Sequence, residues 1–493
     1  MTTHSRWGTL SPARREWLST LGHAVRWGQR VLPPFGSASR RLISMALAGC
    51  LSAVAMAGTV TAADAPDLIA RTYNSGFPQA HDTYNGLSCA RDGRVYYVLS
   101  SEAYDVGAQV FVFDPKTDRI RHLGDLTAAC GEAGQHCIVQ GKSHVNFVEA
   151  PGRLYFATHI GYYSIINGEE KMGVPPAGWQ PYPGGHLVAY EPGSGRFESL
   201  GLAPQREGIL TFNMDTRRGR LFGLTWPSGI FFRHDLATRQ TRDFGKVCAE
   251  GENGRGPTYR TVCRSIAVDP RDGSAYFTTS EGTIMRYCAD TDALEAVAGD
   301  DLRKDYFGLY DPTSPGQMGY NWRQTVWYAP EQAVYGVHGN SGYLFRFDPS
   351  TGQVQVLQRL TSVPSQRSGM FDQFSYGYLG FTLGPDGRTL YYLTGAPIYV
   401  DGKRLRGKDR TAMGEAKGLE DLHLITYDIP KRQYADHGAI RFANGDRPLY
   451  VNSIAVGRND AVYFLSRITE NGRTRTDLCR VPPVRRAGGR DRL

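Results

Sequence analysis

One short unit recurs seven times along this chain: an apolar alternating strand, a tight turn with Gly or Asp, a second aromatic-rich strand, and a third ending in an aromatic-acid pair. The first two strands read NGLSCARDGRVYYVLS from Asn85, HVNFVEAPGRLYFATH from His144, LTFNMDTRRGRLFGLTW from Leu210 and RSIAVDPRDGSAYFTTS from Arg264. They continue as RQTVWYAPEQAVYGVHG from Arg323, LGFTLGPDGRTLYYLTG from Leu379 and NSIAVGRNDAVYFLS from Asn452. The third strands follow as FVFDP, LVAYEP, FFRHDL, IMRYCAD, LFRFDP, LITYDIP and DLCRVPP. Alternating Val, Ile, Tyr and Phe between Gly, Asp and Pro turns is strand chemistry, and no long apolar segment of helical period competes with it. A repeat of this kind predicts an all-β chain folded as a seven-bladed β-propeller over residues 63–484. From Asp114 to Arg480 the third strands advance by about 61 residues per copy, against roughly 40 to 50 for an ordinary blade, so several copies must carry long loops. After Arg480 too little chain remains for a fourth strand in the last copy. The segment Asp67–Tyr73 is expected to supply it by pairing beside Cys479, closing the ring and removing a sheet edge.

The first 62 residues read as a targeting segment. Arg40-Arg41 precedes a small-residue-rich apolar run, Leu42 to Val60, that ends in an acceptable cleavage pattern after Ala62. Ser39-Arg40-Arg41-Leu42-Ile43 also resembles a twin-arginine export motif, and Leu47-Ala48-Gly49-Cys50 a lipoprotein box, though its apolar stretch lies mainly after Cys50 and disfavours a lipid anchor. A periplasmic or secreted protein is therefore expected, with no membrane span in its mature part. Charge is the next constraint. Taking the seven Arg and one Glu of residues 1–62 away from the 56 basic and 48 acidic residues leaves a net charge of +2. That is no nucleic-acid signature. The tail 485–493 reads as a solvated basic segment. An oxidising compartment permits disulfides, and Cys130 with Cys137 and Cys248 with Cys263 each flank a short loop, so both pairs are expected to join. No CxxC or HExxH spacing supports a zinc site.

In a propeller the first strand of each blade lines the central channel, so equivalent positions form a ring. Aligned, these are Asn85, His144, Leu210, Arg264, Arg323, Leu379 and Asn452. A histidine and two arginines in one ring need partners or an anionic ligand. The end of each second strand lies at the same edge, which adds His159, Trp226 and His338, the tryptophan as a sugar platform. The insertion Ile160 to Gly185, with Tyr162, Tyr163, Trp179 and Tyr182, leaves directly after His159 and reads either as a groove wall or as a surface excursion. Lys142, just before His144, reads as a solvated lysine, with projection toward the same wall as the alternative.

The stretch GKSHVNFVEAPGRLYFATHIGYY, followed by arginines on inner strands, resembles the exported β-propeller polysaccharide lyases, the ulvan and rhamnose-glucuronate lyases. That resemblance implies a seven-bladed fold with His, Tyr and Arg at one channel end, carried here by His144, His159 and Arg264. β-Elimination at a uronic acid needs a base for the C5 proton, an acid for the leaving oxygen and a cation for the enolate. His144 or His159 suits the base, Arg264 and Arg323 the carboxylate, and Tyr259 the acid, with Tyr162 or Tyr163 as substitutes. Asn85, Asn452, Arg323, His338, Trp226, Tyr162 and Tyr163 are the expected substrate contacts. The expected partner is an acidic polysaccharide or oligosaccharide, handled by a monomer with no required cofactor. Two other classes stay open: a non-catalytic propeller that binds a glycan or a protein, and a metal-dependent hydrolase or lactonase using His144, His159 and His338 on a divalent ion.

Overall fold

The computed structural model describes residues 67–82, 84–166, 169–369, 379–405, 420–470 and 472–484; the leader readings, Cys50 and the basic tail lie outside the described residues. The described chain is all-β, and no helix in it is long and apolar enough to cross a membrane. Five four-stranded antiparallel sheets come first. They comprise Leu87–Cys89, Val95–Leu99, Gln109–Asp114 and Arg119–Asp125; Val148–Ala150, Arg153–Ala157, His186–Glu191 and Arg196–Leu202; and Gly208–Asp215, Arg220–Trp226, Ile230–Asp235 and Gln240–Lys246. The fourth and fifth are Ala267–Val268, Ala275–Thr278, Ile284–Cys288 and Ala293–Ala296, then Trp322–Tyr328, Ala333–His338, Tyr343–Asp348 and Gln353–Arg359. Each contains the strands that the repeat predicts, plus an outer fourth.

The last two repeat copies share one eight-stranded sheet. Gly380–Leu383, Thr389–Pro397, Glu420–Asp428 and Gln433–Phe442 form one half, and Arg473–Val481, Val462–Glu470 and Ala455–Val456 belong to the other. Between them lies Leu68–Thr72. Its Leu68, Ile69 and Ala70 pair in parallel with Ile440, Arg441 and Phe442, and its Arg71 and Thr72 then pair antiparallel with Arg480 and Cys479. The opening segment thus takes its expected place beside Cys479 and also joins the preceding sheet, leaving neither edge exposed.

Burial explains the strand composition. Val95–Leu99 and Thr389–Pro397 are buried along their whole length, whereas the outer strands Arg119–Asp125 and Gln240–Lys246 are largely exposed or half-buried. A strand covered on both faces by neighbouring sheets reads as a continuous apolar run, while an outer strand has to meet water. Side chains lock adjacent sheets together where their first strands meet: Asn146 Nδ2 donates to the Leu87 carbonyl at 2.9 Å and Asn213 Nδ2 to the Ile266 carbonyl at 2.7 Å. Ser265 and Thr325 hydroxyls lie 2.8 Å apart, and the Phe381 amide donates to Gln324 Oε1 at 2.8 Å. The opening segments of all seven repeat copies line one central cavity of about 330 Å³.

The cysteine expectation is not met. All seven described cysteines are free thiols, so neither Cys130 and Cys137 nor Cys248 and Cys263 are joined. Cys130, Cys137, Cys248 and Cys263 are instead small buried groups: Cys130 closes the short helix Leu126–Ala129 through its backbone amide, and Cys263 Sγ lies 3.3 Å from the Ser265 carbonyl.

Candidate functional site

A second, smaller cavity is lined by six of the seven aligned ring positions, Asn85, His144, Leu210, Arg264, Arg323 and Asn452; Leu379 does not reach it. His159, Trp226 and Tyr163 complete the expected part of its wall. The insertion after His159 therefore contributes to the groove, through a two-stranded ribbon of Tyr163–Ile166 and Glu169–Met172.

The backbone brings the two histidines together. Lys142 N–H donates to the His159 carbonyl at 3.0 Å and His159 N–H to the Lys142 carbonyl at 2.8 Å, an isolated bridge that sets the two segments side by side. The approach depends on glycine. A Cβ on Gly161 would stand 2.0 Å from the Ser101 carbonyl oxygen, and one on Gly208 would stand 2.9 Å from the His159 ring. The imidazole centres of His144 and His159 end 4.4 Å apart, with the tilted Tyr84 ring 4.0 Å from His144 and Trp226 5.5 Å from His159. His159 Nδ1 lies 2.7 Å from the Ile160 carbonyl, a contact that requires Nδ1 to carry the hydrogen and leaves a lone pair on Nε2. Neither His159 Nε2 nor His144 Nε2 has a hydrogen-bond partner. Burial, helped by the Lys142 and Arg264 charges and opposed by the Ile160 bond, brings His159 down to about 3. Burial, then His159 and the surrounding cations, holds His144 well below its ordinary value too. Both rings are neutral at neutral pH.

Charges around them come in pairs. Lys142, expected in solvent, is fully buried; it donates to Glu102 Oε1 at 2.9 Å and to Tyr84 Oη at 2.7 Å, with its ammonium over the Tyr84 and Tyr163 rings at 4.4 and 4.5 Å. A buried ammonium survives only with such neighbours, and burial lowers its pKa against the pull of Glu102. On Glu102 burial works upward, yet His81 and Lys142 outweigh it and bring the carboxyl to about 2. Arg264 Nη2 lies 2.7 Å from Glu252 Oε1, and Glu252 also accepts from Trp226 Nε1 at 2.9 Å, so one carboxylate aims both a cation and an aromatic platform. Arg323, also buried, is lowered to about 9 by burial and then by Arg264, and remains cationic.

Three expected residues lie elsewhere. His338 packs flat on Phe307 at 4.2 Å and near Tyr310, with Nδ1 bonded to Ser341 Oγ at 2.8 Å, outside this cavity's lining. The aromatic loop that carries Phe307 claims it, so the three-histidine ligand set is not assembled. Tyr259 is buried beside Thr261 in the loop leading to Arg264, and Tyr162 packs edge-on against Tyr104; neither lines the cavity. Among the described residues one His/Asp/Glu group has metal-like spacing, His81, Asp82 and Glu102. Its two carboxylates are already taken, by Arg467 and by Lys142.

Sequence reasoning missed Tyr84, Tyr450, Glu102, Glu170 and Glu252. A signal for two of them existed. Tyr84 and Tyr450 stand one and two residues before ring positions Asn85 and Asn452, as Lys142 stands two before His144. The carboxylates lie outside the repeat's strands, Glu170 on the ribbon strand Glu169–Met172, Glu102 three residues past Val95–Leu99 and Glu252 in the turn Gly251–Asn253, where no repeat predicts them.

No family model matches the chain, and no curated protein does. Among solved structures, a chain of the mitotic checkpoint complex is 10% identical over 90% of this chain and 99% of its own, with a TM-score of 0.44. The extracellular domain of a hybrid two-component system from B. thetaiotaomicron is 14% identical over 80% of this chain and 40% of its own, with a TM-score of 0.39. A Bacteroides uniformis protein assigned as a 6-phosphogluconolactonase is 11% identical over 75% of this chain and 95% of its own, with a TM-score of 0.41. At these scores the likenesses decide neither fold nor function.

Proposed function

We propose that this chain is an exported seven-bladed β-propeller that cleaves a uronate-containing glycan by β-elimination, with its site at the mouth of the central channel. Seven repeat copies whose opening segments share one cavity support the blade count. One observation carries the reaction class: two neutral imidazoles with unpartnered Nε2 atoms lie in the same cavity as two arginines. A neutral imidazole accepts a proton, and a guanidinium pairs a carboxylate through a planar fork.

In this reading Arg264 and Arg323 hold the uronate carboxylate, which acidifies the C5 proton and stabilises the enolate formed on its removal. His144 or His159 takes that proton through Nε2. The C5 electron pair forms the C4–C5 double bond, the C4–O bond breaks, and a pocket phenol protonates the departing oxygen. Trp226 and Tyr163, whose rings meet edge to face at 5.3 Å, support the sugar ring. Incubating the protein with a panel of acidic polysaccharides should produce absorbance near the unsaturated-uronate band. Glycan binding without any such absorbance would replace this reading with that of a binding propeller.

A further inference from the structure

Four carboxylates line the pocket, and they differ in what holds them. Asp82 is paired with Arg467, Glu102 with Lys142 and Glu252 with Arg264. Glu170 is the exception. Among the described residues no cation stands at ion-pair distance from its carboxylate and no donor bonds it; Lys142 and Arg264 act on it through their charge alone. The register of the ribbon explains where it points. Residues opposite one another in an antiparallel pair project from one face, as do residues two apart on a strand. Tyr163 lies opposite Met172 and Ile165 opposite Glu170, so these four share a face. Tyr163 and Glu170 both line the pocket, which turns that face toward the site. Ile165, 67% exposed, carries the same face out into solvent. Glu170 thus stands at the mouth, one step further out along the ribbon than Tyr163 and its Trp226 partner. From the other face Lys171 Nζ donates to the Glu252 carbonyl at 3.1 Å, tying the ribbon to the turn whose carboxylate pairs Arg264.

We propose that Glu170 selects the sugar next to the bound uronate: its carboxylate accepts hydrogen bonds from the hydroxyls of a neutral sugar and repels a sulfate ester in the same place. This rests on the reading above, in which Arg264 and Arg323 hold the uronate. An ionised carboxylate only accepts, its two oxygens suit a pair of hydroxyls, and the bonds it receives are charge-assisted. A sulfate ester offers it no proton and brings a second negative charge. The substrate class narrows accordingly, to glycans in which the uronate is followed by an unsulfated neutral sugar. Desolvation by the surrounding protein raises the Glu170 carboxyl above its ordinary value although solvent reaches it, so the comparison below is made at pH 8 to keep it ionised.

The test uses an oligosaccharide alternating glucuronate with rhamnose and the same oligosaccharide sulfated on rhamnose, with cleavage and binding both measured. Wild-type protein should prefer the unsulfated form by about 10-fold or more in kcat/KM. Glu170→Gln removes the charge and keeps the shape of an exposed side chain. It should lower kcat/KM on the unsulfated form and raise it on the sulfated one, so that the preference falls to about 2-fold or less. A structural role would lower both together. Equal wild-type efficiency on the two forms, or a preference that Glu170→Gln leaves intact, would overturn the proposal. Should neither form be cleaved while the unsulfated one binds more tightly and Glu170→Gln abolishes that difference, the β-elimination reading fails and the role of Glu170 stands. Neither cleavage nor binding of either form would sink both.

Discussion

His159 and His338 are near twins by every local measure. Each stands at the end of a second strand, is 1% exposed, is brought to about 3, and has Nδ1 hydrogen-bonded and Nε2 unpartnered. Their neighbours separate them. His159 faces a second imidazole and feels the charges of Lys142 and Arg264, whereas His338 lies against Phe307 and Tyr310, and burial alone accounts for its shift. A depressed histidine therefore does not identify a site here; the same value arises in a charged pocket and in an aromatic nest. Chemistry follows from what the free nitrogen can meet.

Substitution gives the sharpest separation. If the β-elimination reading holds, His144→Ala and His159→Ala should each lower turnover by about 10² to 10⁴ with the melting temperature little affected. His338→Ala should do the reverse, lowering the melting temperature and leaving turnover within a few-fold. Equal effects on turnover from His159 and His338 would erase the distinction.

Acid should act on the nest through stability. His338 lies near 3 when folded and at 6.5 as a free side chain, so between those values the unfolded chain binds the extra proton. Its contribution is fully present above about 6.5 and is lost as pH falls toward about 3. At pH 5 the loss is about 2 kcal/mol. His338→Asn keeps a partner for Ser341 and removes the titration, so the fall in urea-unfolding stability between pH 7 and pH 5 should shrink by about that amount. An unchanged fall would place the acid sensitivity elsewhere.

Smaller effects refine the contrast. Arg264→Lys keeps the charge beside Glu252 but loses the fork, and should lower kcat/KM by about 10-fold while stability holds. Phe307→Leu removes the stacked partner of His338 and should cost about 1 kcal/mol of stability with kcat/KM unchanged. Kinetics and melting measured on both variants would show whether the two regions are as independent as their contacts imply.

The fold was legible to the level of single strands. Each of the seven copies read from Asn85 to Asn452 contains its first, second and third strands, because alternation and turn residues are local signals that neighbouring sheets only reinforce. The shared eight-stranded sheet was not legible, since a parallel pairing of Leu68–Thr72 with Ile440 leaves no periodic trace. For the site, ring alignment brought six of seven positions to one cavity, an outcome of repeat geometry rather than of any motif.

The sequence by itself thus determined which segments become strands and which side chains the repeat sends toward one cavity. Tertiary structure alone decided the rest: that Lys142 is buried between two tyrosines, that Glu102 and Glu252 arrive to pair Lys142 and Arg264, and that Phe307 withdraws His338 from the pocket. The reason is physical. Strand pattern is set by residues two apart, whereas burial, charge pairing and hydrogen-bond direction depend on loops that meet only after the sheets have assembled.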